Sequence, residues 1–115
     1  MMNSPQSAFN PDLDTAHENL SDIRLFTNPF MKTALVSYQL SSHANMAMVI
    51  VSESGQEMRR VLKPAGMPGG QKGLNKLFWD GTKSDGNKVS VGRYKIVLYE
   101  NNEVRYASHW FRLGG

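Results

Sequence analysis

From residue 23 onwards, apolar and polar residues alternate with a period of two, which is typical of half-buried β-strands. In the segment 33–40, one face carries only apolar side chains, Ala34, Val36, Tyr38 and Leu40. Leu35 is the apolar exception on the opposite face of that segment. The segment 46–52, MAMVIVS, is apolar on both faces, so we expect it to lie in the centre of a sheet.

Further short segments of strand character complete the predicted set: 23–26, 57–62, 74–79, 89–100 and 103–113. Turn and loop signals separate them, namely Asn28-Pro29, 41–45, Gly55, the Gly- and Pro-rich stretch 63–73, 80–88 and Asn101-Asn102. About seven short strands with turns between them, and no strong helical pattern in the body of the chain, predict an all-β sandwich. The stretch 63–73 is interpreted as a flexible or partner-contacting loop.

The first 22 residues differ from the rest and are predicted to form an extended N-terminal tail, with the sandwich domain occupying 23–115. They are polar and contain Pro5 and Pro11. Two interpretations stay open, a mobile tail and a segment that orders against a partner. Residues 1–25 hold four acidic residues and one basic residue, whereas 26–115 hold six acidic and twelve basic ones. The formal net charges of the two parts are therefore −3 and +6.

The composition of the chain argues against several classes of site and partner. The chain of 115 residues has no cysteine, so disulfides, thiolate metal sites and a cysteine nucleophile are excluded. Its basic residues are scattered among apolar positions and turns, so we expect no nucleic-acid binding. No apolar run is long enough for a membrane span, and the N-terminus lacks the pattern of a cleavable secretory signal.

Two aspartates, Asp80 and Asp85, invite a metal-site hypothesis, because each could supply a carboxylate to a calcium loop. Counted from Asp80, however, position 6 of such a loop would be Asp85 instead of glycine, and position 12 would be Val91 instead of glutamate. Each aspartate precedes a glycine, Gly81 or Gly86, and Asp-Gly is a strong turn signal. Turn residues are therefore the favoured interpretation.

No arrangement of residues indicates an enzyme. The histidines His17, His43 and His109 lack metal-ligand spacing, and Ser41-Ser42-His43 lies in a loop without a nucleophile elbow. The glycine-rich stretch 66–73 lacks the Gly-Lys-Ser/Thr ending of a phosphate loop. We expect no catalytic residues, no metal and no cofactor.

Two pairs of adjacent aromatic residues predict exposed aromatic surface, since neighbours in a strand point to opposite faces. The pairs are Phe78-Trp79 and Trp110-Phe111. With Trp79 in the core, Phe78 points outward. Outward aromatic side chains are enriched in protein interfaces and also occur in carbohydrate-binding modules.

A series of distinctive residues follows along the chain in this order: Asn28-Pro29-Phe30, Thr33, Tyr38-x-Leu40, Ala44-x-Met46-x-Met48-x-Ile50, Gly55, Met58, Leu62, Trp79-Asp80-Gly81, Gly86, Val89 and Gly92-x-Tyr94. This pattern resembles the Ig-like, fibronectin-III-like domain of the flagellar hook-capping protein family. It is similar also to C-terminal Ig-like modules of bacterial secreted and surface proteins. Departures from the family pattern are Ser52, the long loop 63–73 and Lys83. The resemblance implies that Gly55, Trp79, Asp80, Gly81, Gly86, Gly92 and Tyr94 are structural.

The resemblance implies a non-enzymatic subunit of a bacterial appendage or particle, whose partners are itself or other subunits. We expect self-association through the tail, with Phe9 and Leu13 as apolar anchors and Asp12 and Asp14 as acidic contacts, and through outward residues such as Phe78 and Trp110. The alternative is an adhesion or adaptor module that binds carbohydrate or protein. We expect an extracellular or particle-associated location, reached without a cleavable signal after a cytoplasmic stage, and no membrane insertion.

Overall fold

A computed structural model of the protein describes residues 18–114, which form eight β-strands. In chain order they are β1 (Leu20–Asn28), β2 (Thr33–Leu40), β3 (Met46–Ser52), β4 (Glu57–Lys63), β5 (Gly73–Trp79), β6 (Gly92–Glu100), β7 (Glu103–Ala107) and β8 (Phe111–Leu113). This part of the chain contains no helix, and so none that could cross a membrane.

The strands form two antiparallel sheets that pack face to face, which confirms the predicted Ig-like sandwich. One sheet has the order β1-β2-β5. The other has the order β4-β3-β6-β7, and β8 also pairs with β6. Strand β3 lies between β4 and β6, as its apolar sequence predicted.

The last predicted strand, 103–113, is divided into β7 and β8. Ser108 lies at the break and keeps the sheet hydrogen-bonded there. Its backbone N–H donates to the Ile96 carbonyl at 2.9 Å, and its hydroxyl oxygen accepts the Ile96 N–H at 2.9 Å. Because a side chain replaces a backbone acceptor, the chain can leave the ladder without leaving a buried N–H unpaired.

Alternate residues of both sheets fill the core. Residues that are almost completely buried include Val36, Tyr38, Met46, Met48, Ile50, Trp79, Val89, Ile96, Leu98 and Leu113. The Trp79 and Tyr94 rings meet edge to face, with their centroids 6.3 Å apart. This contact joins the two sheets, because Trp79 belongs to β5 and Tyr94 to β6.

The folded domain begins earlier than the boundary predicted between residues 22 and 23, since β1 starts at Leu20. Leu20 is buried in the core. Asn19 fixes the start of the strand: its side-chain amide donates to the Ser42 carbonyl at 3.0 Å and to Glu100 Oε2 at 2.9 Å. The register of β1 shifts between Ser21 and Arg24, where Asp22 has a positive φ of 53°. The period of two that marks a strand in the sequence is therefore interrupted there.

The glycine-rich loop between β4 and β5 is held by two buried side chains. The Tyr38 hydroxyl donates to the Gly69 carbonyl, and Asn75 Oδ1 accepts the Gly69 N–H at 3.1 Å. The Asn75 amide also donates to the Gln71 carbonyl at 2.8 Å. The loop has no regular structure, as predicted, but these bonds fasten it to the β1–β2–β5 sheet instead of leaving it free.

The chain between β5 and β6 forms a compact corner rather than continuing the strand predicted from residue 89. The Tyr94 hydroxyl donates to the Ser90 carbonyl at 2.6 Å, the bond that defines the tyrosine corner of Ig-like folds. Trp79 Nε1 donates to the Thr82 carbonyl at 2.9 Å. These two bonds hold both ends of the corner against the core.

Gly81 and Gly86 both have positive φ, but their surroundings differ. A Cβ on Gly81 would lie 2.1 Å from the Lys32 carbonyl oxygen, whereas a Cβ on Gly86 would meet nothing within 4 Å. We expect Gly86→Ala to cost about 1 kcal/mol of unfolding free energy from backbone strain alone. Gly81→Ala should cost about 3 kcal/mol or more, because the backbone clash adds to the strain.

Chemical denaturation of the two variants tests this difference. The variants serve as matched controls for each other, since both replace a glycine after aspartate at nearly the same φ. Equal losses would show that the Gly81–Lys32 contact relaxes without cost.

Burial raises the pKa of Tyr38, Tyr94 and Tyr106 above the ordinary tyrosine value. The unfolded chain therefore releases these protons first, at a pH of about 10. Stability should be unaffected below that pH and should fall as the pH rises above it. Thermal unfolding measured from about pH 8 to pH 11.5 tests this. Tyr38→Phe should lessen the alkaline fall, and an unchanged slope in that variant would contradict the assignment to Tyr38.

Candidate interaction surfaces

The structure places Asp80 and Asp85 in turns, where each carboxylate accepts a hydrogen bond from the backbone N–H two residues further along the chain. Asp80 Oδ1 accepts the Thr82 N–H at 3.0 Å and the Thr82 hydroxyl at 2.6 Å. Asp85 Oδ1 accepts the Asn87 N–H at 2.9 Å. These hydrogen bonds hold the pKa of both carboxyls below the usual aspartate value. The two aspartates are turn residues, as the sequence favoured.

Ser42 and His43 of the loop 41–45 each make a hydrogen bond to a distant part of the chain. His43 Nδ1 accepts the Lys72 N–H at 2.9 Å, and the Ser42 hydroxyl donates to Asn19 Oδ1 at 3.0 Å. These two bonds fasten the loop to Asn19 and to Lys72. Among residues 18–114, no three His, Asp or Glu side chains come together as a metal site would require.

A row of three apolar side chains crosses the outer face of the β1–β2–β5 sheet. Phe26 on β1 is opposite Leu35 on β2, and Leu35 is opposite Phe78 on β5. Phe26 is 55 % exposed and Phe78 is 64 % exposed, while Leu35 is half-buried between them. We call these three residues the apolar row. Side chains opposite one another in antiparallel strands lie within contact distance, so the row is continuous.

A basic row lies beside the apolar row on the same face. Arg24 is opposite Ser37, and Ser37 is opposite Lys76. Arg24 Nε lies 3.4 Å from Asp22 Oδ1, and both side chains are exposed. Lys76 makes no ion pair with any residue in 18–114. Beyond the basic row, Leu74 is again exposed.

The outer face of the other sheet carries a second line of apolar side chains on four neighbouring strands: Leu62, Ala47, Tyr99 and Val104. Here the protein covers much of the aromatic surface itself. The Arg60 guanidinium lies 5.3 Å from the Tyr99 ring centroid, and Lys95 Nζ lies 4.2 Å from that of Trp110. Neither phenylalanine of the apolar row has such a cation contact within the described range 18–114.

The predicted outward residues Phe78 and Trp110 are both exposed but do not lie together. Trp110 is 38 % exposed, stands between β7 and β8, and packs against Lys95, whose neighbours in β6 point inward. It therefore belongs to the face opposite Phe78, and a small ligand could not contact both rings.

The hairpin between β1 and β2 carries a third exposed apolar group. Phe30 is 91 % exposed at its tip, beside Met31. An open cleft of about 550 Å³ is lined there by Pro29, Phe30, Lys32, Val91, Arg112 and Gly114. The tip adjoins the end of the sheet that bears the apolar row, since Asn28 and Thr33 close the hairpin two positions beyond Phe26 and Leu35.

Sequence reasoning missed the apolar row as a unit. It identified Phe78 and noted Leu35 as an exception, but it did not single out Phe26. The feature of the sequence that could have revealed the row was Leu35, an apolar residue on the otherwise polar face of its strand. Phe9, Leu13, Asp12 and Asp14 lie outside the described residues, so their predicted contacts stay predictions.

Comparison with solved structures supports the architecture. The dimeric latent PorU from Porphyromonas gingivalis is 21 % identical, with a TM-score of 0.59 over 80 % of this chain and 9 % of that one. The alkylpurine DNA glycosylase AlkC from Pseudomonas fluorescens, bound to DNA containing an abasic site analog, is 12 % identical, with a TM-score of 0.53 over 84 % of this chain and 30 % of that one. At these identities the likeness concerns the fold alone.

No curated protein gave a significant match. The family model described as the FlgD Ig-like domain matches residues 27–103. That match covers β2 to β6, the corner and the outward apolar residues of both sheets except Phe26 and Val104, and it leaves out most of β1 and β7 and all of β8. It confirms the resemblance found in the sequence: the chain belongs to the FlgD Ig-like domain family.

Proposed function

We propose that this protein is a non-enzymatic structural subunit that self-associates in a hook-related or similar bacterial appendage. The family to which it belongs is a structural, non-catalytic one. Self-association and the identity of the appendage are our inference. The single observation that carries it is the exposed apolar row of Phe26, Leu35 and Phe78, because uncovered aromatic side chains in a contiguous patch are typical of protein interfaces.

The distribution of charge supports contact between copies. Residues 1–25 carry a formal charge of −3 and the remainder carries +6. An acidic segment of one copy and the basic body of a neighbour would attract each other, which speeds association and selects orientation. We propose that the protein acts outside the cell or within a particle, after a cytoplasmic stage.

A second candidate function is an adhesion or adaptor module, favoured by a groove on the β3–β6 sheet. The groove has a volume of about 260 Å³ and is lined by Leu62, Tyr99, Asn45 and Asn102 among others. An apolar wall with convergent amides is a common feature of small-ligand sites. Arg60 already occupies a face of the Tyr99 ring, so this function ranks second. Glycan-array binding that is lost on replacing Tyr99 would support it.

Truncation tests the structural proposal. Because Asn19 and Leu20 belong to the folded domain, the deletion should end at residue 17 rather than at residue 22. We expect the full chain to form oligomers as its concentration rises and the truncated chain to stay monomeric, as measured by sedimentation velocity. Electron microscopy then distinguishes rings from filaments.

A chain in which residues 1–17 are replaced by a Gly/Ser sequence of equal length is the control. It separates the chemistry of the segment from its length, and unchanged thermal unfolding shows that the sandwich is intact. A truncated chain that forms the same oligomer would overturn the role of the N-terminal segment.

A further inference from the structure

We propose that the apolar row is the docking site for residues 9–14, FNPDLD, of a second copy of this chain. The proposal rests on the proposed function and assigns a specific surface to it. The segment contains two apolar residues, Phe9 and Leu13, and two acidic ones, Asp12 and Asp14. The outer face of the β1–β2–β5 sheet offers apolar and basic groups side by side.

The aromatic side chains are less covered on this face than on the outer face of the other sheet. On the β3–β6 sheet, Arg60 and Lys95 lie over the aromatic rings, and the central residues Ala47 and Val49 are buried beneath their neighbours. On the β1–β2–β5 sheet the two phenylalanines stay more than half exposed. Leu62 and Val104 on the other sheet are also more than half exposed, so it is the uncovered aromatic rings that distinguish the β1–β2–β5 face.

Charge complementarity selects an acidic occupant. Arg24 and Lys76 flank Ser37 in the register position next to the apolar row. Lys76 has no acidic partner in the part of the chain that the structure describes, and Arg24 has only the exposed Asp22. A segment that brings Asp12 and Asp14 to this face would pair with both cations while its apolar residues cover the row.

The spacing of the apolar residues agrees with this arrangement. Leu74 and Phe78 are four residues apart on β5 and point to the same outer face, with Lys76 between them. Phe9 and Leu13 are also four residues apart. In extended chains both pairs are separated by about 13 Å, so one segment can contact both apolar positions.

The anchoring of Asn19 favours a neighbouring copy over the same chain. The Asn19 amide donates to Glu100 Oε2, and Glu100 is a buried residue of β6 in the opposite sheet. Asn19 is thereby held on the side of β1 that faces the other sheet, away from the outer face that bears the apolar row. A second copy presents that row without this constraint.

The first test compares two substitutions in the full chain. Phe78→Ser should raise the dissociation constant of self-association about ten-fold or more, since a central aromatic anchor is lost. Leu62→Ser, at an equally exposed position (67 %) on the opposite sheet, is the matched control and should leave the constant within about two-fold. Sedimentation velocity measures both.

The second test reverses charges. Lys76→Glu should weaken self-association, and Asp12→Lys combined with Asp14→Lys on the same chain should restore it. A merely structural effect of Lys76→Glu would not be rescued in this way. Loss of association in Lys76→Glu without rescue would overturn the predicted pairing.

The third test identifies the occupant and uses the absence of native cysteine. Full-length Phe9→Cys and Phe78→Cys variants, mixed under mild oxidation, should yield a disulfide-linked heterodimer. The mixture Phe9→Cys and Leu62→Cys is the control and should yield little. If Phe9→Cys and Phe78→Cys in one chain form only an internal disulfide, the segment docks on its own sheet and the proposal is wrong.

The outcomes separate the docking site from the proposed function. A full chain that is monomeric at every concentration overturns both. Oligomers that need residues 1–17 but tolerate Phe78→Ser and Lys76→Glu leave the proposed function standing and overturn this site.

Discussion

Strand β2 pairs with β1 on one side and with β5 on the other, and the register of these pairings decides which side chains are buried. In the observed register, Val36 faces the core opposite Leu25 and Leu77, while Leu35 faces outward between two phenylalanines. A slip of one residue would exchange the two faces, exposing the core and burying the apolar row. The core and the candidate interface are therefore fixed by the same backbone hydrogen bonds.

Polar side chains inside the sandwich support this register from its ends. Asn75 and Tyr38 fasten the glycine-rich loop at one end, and Trp79 Nε1 donates to the Thr82 carbonyl at the other. Because buried hydrogen bonds demand specific geometry, a shifted strand would leave these groups unpaired at considerable cost. The loop that the sequence marked as irregular is thus a structural fastening, although its glycines suggested freedom.

The sequence was sufficient for elements whose signal is local. The predicted segments 33–40 and 46–52 coincide with β2 and β3, because their apolar patterns are long and unbroken. The start of β1 was missed because Ser21 and Asp22 are polar and the strand is held there by Asn19 through contacts with residues far along the chain. The apolar row was missed for a related reason, since it requires knowing that Phe26 and Phe78 lie on either side of Leu35.

The position of Asn19 has a consequence for symmetry. The N-terminal segment leaves the domain beside Leu20, whereas the apolar row crosses β1 at Phe26, which is about 20 Å further along the strand. The contact proposed above would join two different surfaces, and the symmetry decides how many of them are filled. Two copies that exchange segments reciprocally form a closed two-fold pair. A one-way contact instead leaves one segment and one docking surface vacant, so the copies close into a ring or extend as a polar fibre, depending on the rotation between neighbours.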